Sequence, residues 1–122
     1  GQEDVVSQCW AIEVRINAED PRSFRPSPGK VERWVVPGGP GVRVDTALYQ
    51  GYEMPPFYDS LVAKLVVYGR DREEALSRGR RALAEFKVEG IQTTIPLHEA
   101  ILDSEEFREG RCPVDWLERF VW

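Results

Sequence analysis

Prolines and glycines divide the first half of the chain into short segments, and they constrain the fold more than any other feature. The breaks stand at Pro21, Pro26, Pro28, Gly29, Pro37, Gly38, Gly39, Pro40, Gly41, Gly51, Pro55 and Pro56. Proline has no backbone N–H and disrupts a helix interior, so the segments between the breaks are suited to short strands and turns. Alternating apolar side chains predict strands over residues 10–17, 30–36 and 42–46, and a packed loop over residues 47–58.

The second half of the chain contains longer apolar patterns. Residues 61–68 form the most hydrophobic run and predict a central strand. Residues 71–87 carry one apolar stripe at helical spacing, and Asp71 and Glu74 stand at the spacing of a helix-capping box. In this helix Glu74 and Arg78 are expected to pair. The arginines at 72, 78, 80 and 81 are expected to face solvent, with contact to a partner subunit as the alternative for some of them.

Shorter elements are predicted after this helix. Residues 91–95 alternate as a strand, Pro96 begins a helix, residues 104–108 form a turn, and Pro113 begins a last helix. Strands that cluster first and helices that follow indicate the α+β class. We therefore predict a mainly antiparallel sheet with one long helix and C-terminal helices.

Composition excludes several classes of function. A length of 122 residues suits one domain, and the net charge of −5 argues against nucleic acid or an anionic membrane as partner. No apolar run approaches the ~20 residues that span a bilayer, and residues 1–6 do not resemble a signal peptide. Cys9 and Cys112 favour free thiols in a reducing cytosol over a disulfide, so a cytoplasmic protein is expected. With His98 as the only histidine, no metal site is predicted.

Two cations stand out as candidate functional groups. Arg43 follows the glycine turn of residues 37–41, where few other residues could adopt the backbone, so its guanidinium is rigidly mounted. It suits either an anionic ligand oxygen or a surface ion pair with a nearby carboxylate, and local sequence favours the ion pair. Lys64 interrupts the central strand, and it suits a structural pair, with Asp59 as a candidate partner, more than an active-site role.

Five segments follow one another along the chain: AIEVRINAEDP at residues 11–21, PSPGK at 26–30, GVR at 41–43, YDSLVAKL at 58–65 and GIQTT at 90–94. Together, and in this order, they resemble the C-terminal domain of biotin carboxylase. Two positions depart from that family. Cys9-Trp10 replaces the usual Gly-His or similar pair, and Thr94 stands where Asn is common.

The resemblance implies that residues 1–122 are the C-terminal domain of a longer enzyme. Biotin carboxylase uses MgATP and bicarbonate to carboxylate biotin on a carrier protein, and its motifs for ATP, magnesium and bicarbonate lie in an upstream ATP-grasp portion. The implied partners are that portion, the biotin carboxyl carrier, a carboxyltransferase and a second copy in a homodimer. On this interpretation the isolated chain is inactive. The alternative is a non-catalytic binding or assembly module that folds on its own.

The resemblance also implies roles for particular residues. Arg43 corresponds to the arginine that contacts the ureido oxygen of biotin, and is therefore the expected catalytic residue. Glu89 corresponds to an acidic position beside the biotin pocket, although a surface carboxylate at a helix end is an equal alternative. Val114 corresponds to an apolar position near the adenine, with core packing as its alternative. Residues 68–72 correspond to part of the dimer interface, or form an ordinary strand-to-helix turn.

Overall fold

The computed structural model describes residues 10–56 and 60–108. The strands are β1 (Trp10–Asn17), β2 (Gly29–Lys30), β3 (Arg33–Val35), β4 (Val42–Asp45), β5 (Glu53–Met54), β6 (Leu61–Gly69) and β7 (Lys87–Glu89). The helices are α1 (Arg72–Glu85), α2 (Ile95–Asp103) and α3 (Glu105–Arg108). Every pair of these strands is antiparallel, which confirms the predicted α+β class. The turn predicted at residues 104–108 is instead the short helix α3.

Strand β6 is the centre of a three-stranded sheet with the order β1-β6-β4. Trp10 is opposite Gly69 in the pairing of β1 with β6, and Arg43 is opposite Val66 in the pairing of β4 with β6. The apolar run of β6 is therefore explained by its central position. A central strand has neighbours along both edges and carries a helix on one face. The prediction of a central strand here is confirmed.

Two further ladders of two strands each correct the prediction of one strand over residues 30–36. β2 pairs with β5, whereas β3 pairs with β7. Between them, the amide of Val31 donates to the Tyr52 carbonyl and that of Glu32 to the Glu89 carbonyl, both at 2.8 Å. The chain changes partner at this point, so one apolar alternation is divided between two ladders. The short strand β5 was missed because it lies within the loop predicted for residues 47–58.

Helix α1 begins as its sequence predicts. The Asp71 carboxylate accepts a 2.8 Å hydrogen bond from the amide of Glu74, which confirms the cap. The Glu74 carboxylate in turn accepts a 2.8 Å hydrogen bond from the amide of Arg70. A capping box would use the amide of the next residue, Asp71. The helix ends at Glu85, two residues earlier than predicted, because Lys87 begins β7. Its buried residues are Ala75, Leu76, Gly79, Ala82 and Leu83.

The strand predicted over residues 91–95 is wrong, because Ile95 is already the first residue of α2. Proline fits the first turn of a helix, and Pro96 allows the helix to begin there. Thr94, the residue before the helix, is joined to Asn17 by two hydrogen bonds of 3.0 Å. One runs from the Asn17 amide to the Thr94 hydroxyl, and the other from the Thr94 amide to the Asn17 carbonyl. The helix predicted from Pro113 lies outside the described residues.

The hydrophobic core is formed by side chains of the sheet, of helices α1 and α2 and of the segments between the strands. The largest side chains that are fully buried are Ile16, Val31, Val62, Leu65, Val67 and Leu83. Strand β4, which carries Arg43, packs against this core. Within residues 10–56 and 60–108, no helix is both long and apolar enough to cross a membrane.

Candidate functional site

The glycine turn before Arg43 has the backbone conformation that its sequence predicts. Gly39 has a φ of 106° and Gly41 a φ of 75°, a region that residues with a side chain rarely adopt. The turn closes with a 3.2 Å bond from the Val42 amide to the Gly39 carbonyl. A 2.9 Å bond from the Tyr68 amide to the Gly41 carbonyl ties it to the central strand. The glycine turn before Arg43 is therefore held against the three-stranded sheet.

The guanidinium of Arg43 has a carboxylate beside it. Its Nε donates to Asp45 Oδ1 at 3.0 Å, which confirms the expected surface ion pair. The hydrogen bond and charge of Asp45 raise the pKa of Arg43, and Tyr68 contributes in the same direction. This bond uses Nε alone, and the side chain of Arg43 is still 63% exposed. A ligand oxygen can therefore reach the same guanidinium, which carries five N–H donors in total.

Lys64 lies in the same part of the sheet. In the strand registers it is opposite Asp45 on β4 and opposite Arg15 on β1. Its suggested partner, Asp59, lies outside the described residues, so that pairing stays a prediction.

Glu89 lies on a different ladder from Arg43. It is opposite Arg33 in the pairing of β3 with β7, and its Oε2 accepts a 2.9 Å hydrogen bond from Arg33 Nη1. Both side chains of this pair are more than half exposed. Arg43 and Glu89 thus have separate ion-pair partners among the residues described. The role of Glu89 in orienting Arg43 stays a prediction.

The other residues implied by the resemblance have different outcomes. Val114 lies outside the described residues, as do Cys9 and Cys112. Residues 68–72 run from the end of β6 through a two-residue link into α1, as one of the two interpretations expects, and their part in a dimer stays a prediction. In the described part of the chain, no cluster of three or more His, Cys, Asp or Glu side chains could hold a metal ion.

Arg78 lies beside the glycine turn, a contact that the sequence analysis missed beyond its pairing with Glu74. That pair is present, with 3.8 Å between Arg78 Nη1 and Glu74 Oε1. The same Nη1 donates to the Tyr68 carbonyl at 2.5 Å. Arg78 also lies against Gly41, two residues before Arg43. The spacing of Glu74 and Arg78 was the only signal in the sequence, because the contact with Gly41 is made through space.

His98 contacts the backbone of strand β1. Its Nε2 lies 2.8 Å from the Arg15 carbonyl oxygen, so Nε2 carries the proton in that bond. Burial lowers the pKa of His98 below its ordinary value of 6.5. Since its ring nitrogen is engaged by the backbone of β1, His98 links α2 to the sheet.

The depressed pKa of His98 predicts a loss of stability in mild acid. As pH falls through about 6.5, the unfolded chain binds this proton before the folded chain does, so acid favours unfolding. The stability is fully present above that pH and decreases until the folded pKa is reached. Urea unfolding between pH 7.5 and 5 measures the effect. We expect His98 to make the free energy of unfolding fall by up to about 1.4 kcal/mol per pH unit, and His98→Gln to remove this dependence. The same pH slope in both proteins would contradict this assignment.

Comparison with known proteins identifies the family. The sequence profile of the biotin carboxylase C-terminal domain matches residues 13–119. The chain belongs to the biotin carboxylase C-terminal domain family. The resemblance carried by the five segments is thereby confirmed.

Relatives of this biotin carboxylase C-terminal domain are similar over nearly its whole length. Biotin carboxylase 1 of Bacillus subtilis is 52% identical over 120 residues, which are 98% of this chain and 27% of the relative. The biotin carboxylase of Pseudomonas aeruginosa is 53% identical over 118 residues, which are 97% of this chain and 26% of the relative. The chain therefore spans about a quarter of the length of these relatives.

Solved structures agree with the fold. A biotin carboxylase complex from Campylobacter jejuni superposes with a TM-score of 0.87 at 38% identity, covering 90% of this chain and 25% of that one. The biotin carboxylase domain dimer of the 2-oxoglutarate carboxylase from Hydrogenobacter thermophilus has a TM-score of 0.86 at 48% identity. It covers 89% of this chain and 24% of that one, and that structure contains MgADP, ADP and bicarbonate.

Proposed function

We propose that this chain is the C-terminal part of a biotin carboxylase that carboxylates biotin on a carrier protein, using MgATP and bicarbonate. The observation that carries the proposal is Arg43, an exposed guanidinium on a fixed glycine turn in a chain of this family. The relatives named biotin carboxylase support the same reaction class, a carbon–nitrogen ligase.

Arg43 would act on the ureido group of biotin. Removal of the N1′ proton moves negative charge onto the ureido oxygen, which becomes enolate-like. A permanently charged donor at that oxygen stabilises the transition state more than the ground state. Because the turn beneath Arg43 is tied to β6, the donor needs little reorganisation when the charge develops. The ion pair with Asp45 would hold the guanidinium by its Nε while other N–H groups meet the ligand.

The remaining parts of the reaction belong to other segments and chains. Glu89 would line the biotin pocket beside Arg43, and Val114 would contact the adenine of ATP. The ATP-grasp portion of the same protein would hold MgATP and bicarbonate, and a carboxyltransferase would use the carboxybiotin. Residues 68–72 would contribute to a homodimer, in keeping with the dimer of the Hydrogenobacter thermophilus domain.

The activity of the longer protein and of the isolated chain tests this proposal. We expect the longer protein to show ATP- and bicarbonate-dependent carboxylation of biotin, measured as acid-labile fixed bicarbonate. We expect purified residues 1–122 to show neither carboxylation nor bicarbonate-dependent ATP hydrolysis, because Arg43 supplies one half of the site only. Turnover by the isolated chain, or a longer protein that binds biotin without carboxylating it, would contradict the proposal and favour a binding module.

A further inference from the structure

We propose that Phe24, at the tip of the loop of residues 18–27, docks into an apolar pocket on the upstream portion of the same protein. The inference rests on the proposed function in one respect, since it requires this chain to be part of a longer biotin carboxylase. It concerns how the two parts are held together, and no step of the reaction depends on it. The loop follows strand β1 directly.

Phe24 has an unusual backbone conformation. Its φ is 62°, and within residues 10–56 and 60–108 it is the one residue other than glycine in the left-handed region. A bulky residue rarely adopts this region, because its Cβ comes too close to the following carbonyl oxygen. Such a conformation persists only where the surrounding structure imposes it.

Asp20 imposes this conformation on the tip of the loop. Its Oδ1 accepts hydrogen bonds of 2.9 Å from the amides of both Arg22 and Ser23. Its carbonyl accepts a 2.8 Å bond from the amide of Phe24, and its own amide donates to the Arg25 carbonyl at 2.9 Å. The backbone bonds from Ser23 and Arg22 lower the pKa of Asp20, so the carboxylate stays charged at neutral pH and the turn stays closed.

The base of the loop is anchored to the body of the domain. Glu19 and Pro26 form an antiparallel bridge, and the amide of Ser27 donates to the Ala18 carbonyl at 2.8 Å. Ala18 is fully buried, and the Ser27 hydroxyl accepts a 2.9 Å bond from the amide of Gln92. Because the tip is supported at both ends, it can bind a partner surface without first becoming ordered.

The supported tip displays an aromatic ring to solvent. Phe24 is 49% exposed, although its ring carries no polar atom to interact with water. The loop thus keeps a strained residue at a position where glycine or asparagine would fit with less strain. Strain of this kind accumulates where a residue contacts a ligand or a partner, so the ring has the properties of a docking side chain.

The charge of the loop favours a permanent partner within the same protein over one that binds and leaves. Residues 18–27 contain Glu19 and Asp20 beside Arg22 and Arg25, so the loop has no net charge. A partner that arrives by diffusion gains from electrostatic steering, which a neutral loop does not supply. Apolar contacts are typical of permanent interfaces. Since the chain spans about a quarter of the length of its relatives, the larger part of such a protein lies outside it and can supply the pocket.

Trypsin cleavage of the full-length enzyme tests whether the loop is covered. Within the loop only the bond between Arg22 and Ser23 is a substrate, because Pro26 follows Arg25 and trypsin does not cleave before proline. We expect this bond to resist trypsin in the parent enzyme, and Phe24→Asn to raise its rate of cleavage about 10-fold or more, since cleavage follows the population in which a segment is open. Asparagine adopts the left-handed region more readily than phenylalanine, so this variant removes the ring without loosening the turn.

A matched variant and three further outcomes make the test specific. Tyr49→Asn changes another exposed aromatic residue and should leave cleavage after Arg22 unchanged. Rapid cleavage of the parent enzyme after Arg22, or equal protection in Phe24→Asn, would overturn the inference. Protection that requires a high enzyme concentration would assign the ring to a second copy, and protection that requires added carrier protein would assign it to the carrier, so either result also overturns it. Biotin carboxylation by the same preparation is measured beside cleavage, so that failure of the proposed function is distinguished from failure of the docking.

Discussion

Replacing Arg43 by alanine in the full-length enzyme is expected to lower the rate of biotin carboxylation by about 100-fold or more. The reason is the loss of the cationic donor that the proposed function places at the ureido oxygen, where negative charge would develop. Nucleotide affinity should be nearly unchanged, because the ATP-grasp portion would bind ATP. The measurement is kcat for carboxylation of biotin beside the dissociation constant for ATP.

Two further variants show whether this effect is specific. Arg43→Lys keeps the positive charge but loses the planar guanidinium with its paired N–H donors, so an intermediate rate is expected. Arg81→Ala removes an exposed arginine of helix α1 and should leave the rate unchanged. The melting temperature of Arg43→Ala should be close to that of the parent, because its ion pair with Asp45 is exposed. A near-normal rate in Arg43→Ala would remove Arg43 from the proposed site.

Replacing Gly90 by alanine is expected to cause a large loss of stability, about 3 kcal/mol or more. Gly90 has a φ of 101°, and its Cβ would overlap the Lys30 carbonyl oxygen and lie 2.9 Å from the Glu32 amide nitrogen. These are backbone atoms and cannot rotate away as a side chain would. The substitution would therefore separate β7 from the segment that links β2 and β3. Urea and thermal unfolding of residues 1–122 measure the effect, with an expected decrease in melting temperature of about 10 °C or more.

Two other glycines separate the causes of this loss. Gly51 has a φ of 94° but no atom within 4 Å of an added Cβ, so Gly51→Ala measures backbone strain alone. Gly38 has neither a strained φ nor a close neighbour, and Gly38→Ala should be almost neutral. A Gly90→Ala variant no less stable than Gly51→Ala would show that the backbones at this contact can move apart.

The strongest periodic patterns predicted the main elements of the fold. Strand β1, strand β6 and helix α1 each extend over eight or more residues, long enough for a period of 2 or 3.6 to be recognised. Strands β2, β5 and β7 have only two or three residues, and too short a run carries no period. Their pairing depends on contacts such as that of Gly90 with Lys30, which are distant in sequence.

The candidate site divides in the same way. Arg43, its glycine turn and the carboxylate of Asp45 are neighbours in sequence, so local reasoning predicted the mount and an ion pair. The contact of Arg78 with Gly41 joins a helix to a turn through space, and no local pattern contains it. Glu89 was matched by its position beside Gly90, but its partner Arg33 follows from the pairing of β3 with β7.

The pairing of early strands with late ones has a consequence for synthesis on the ribosome. Trp10 pairs with Gly69, Gly29 with Met54 and Arg33 with Glu89, so β1, β2 and β3 each find their partner well beyond the next strand in the chain. During translation β1 would leave the exit tunnel long before β6, and its apolar side chains would have no partner. Non-local pairing slows folding and exposes unpaired edges to aggregation. We therefore expect nascent chains that stop short of β6 to depend on chaperones.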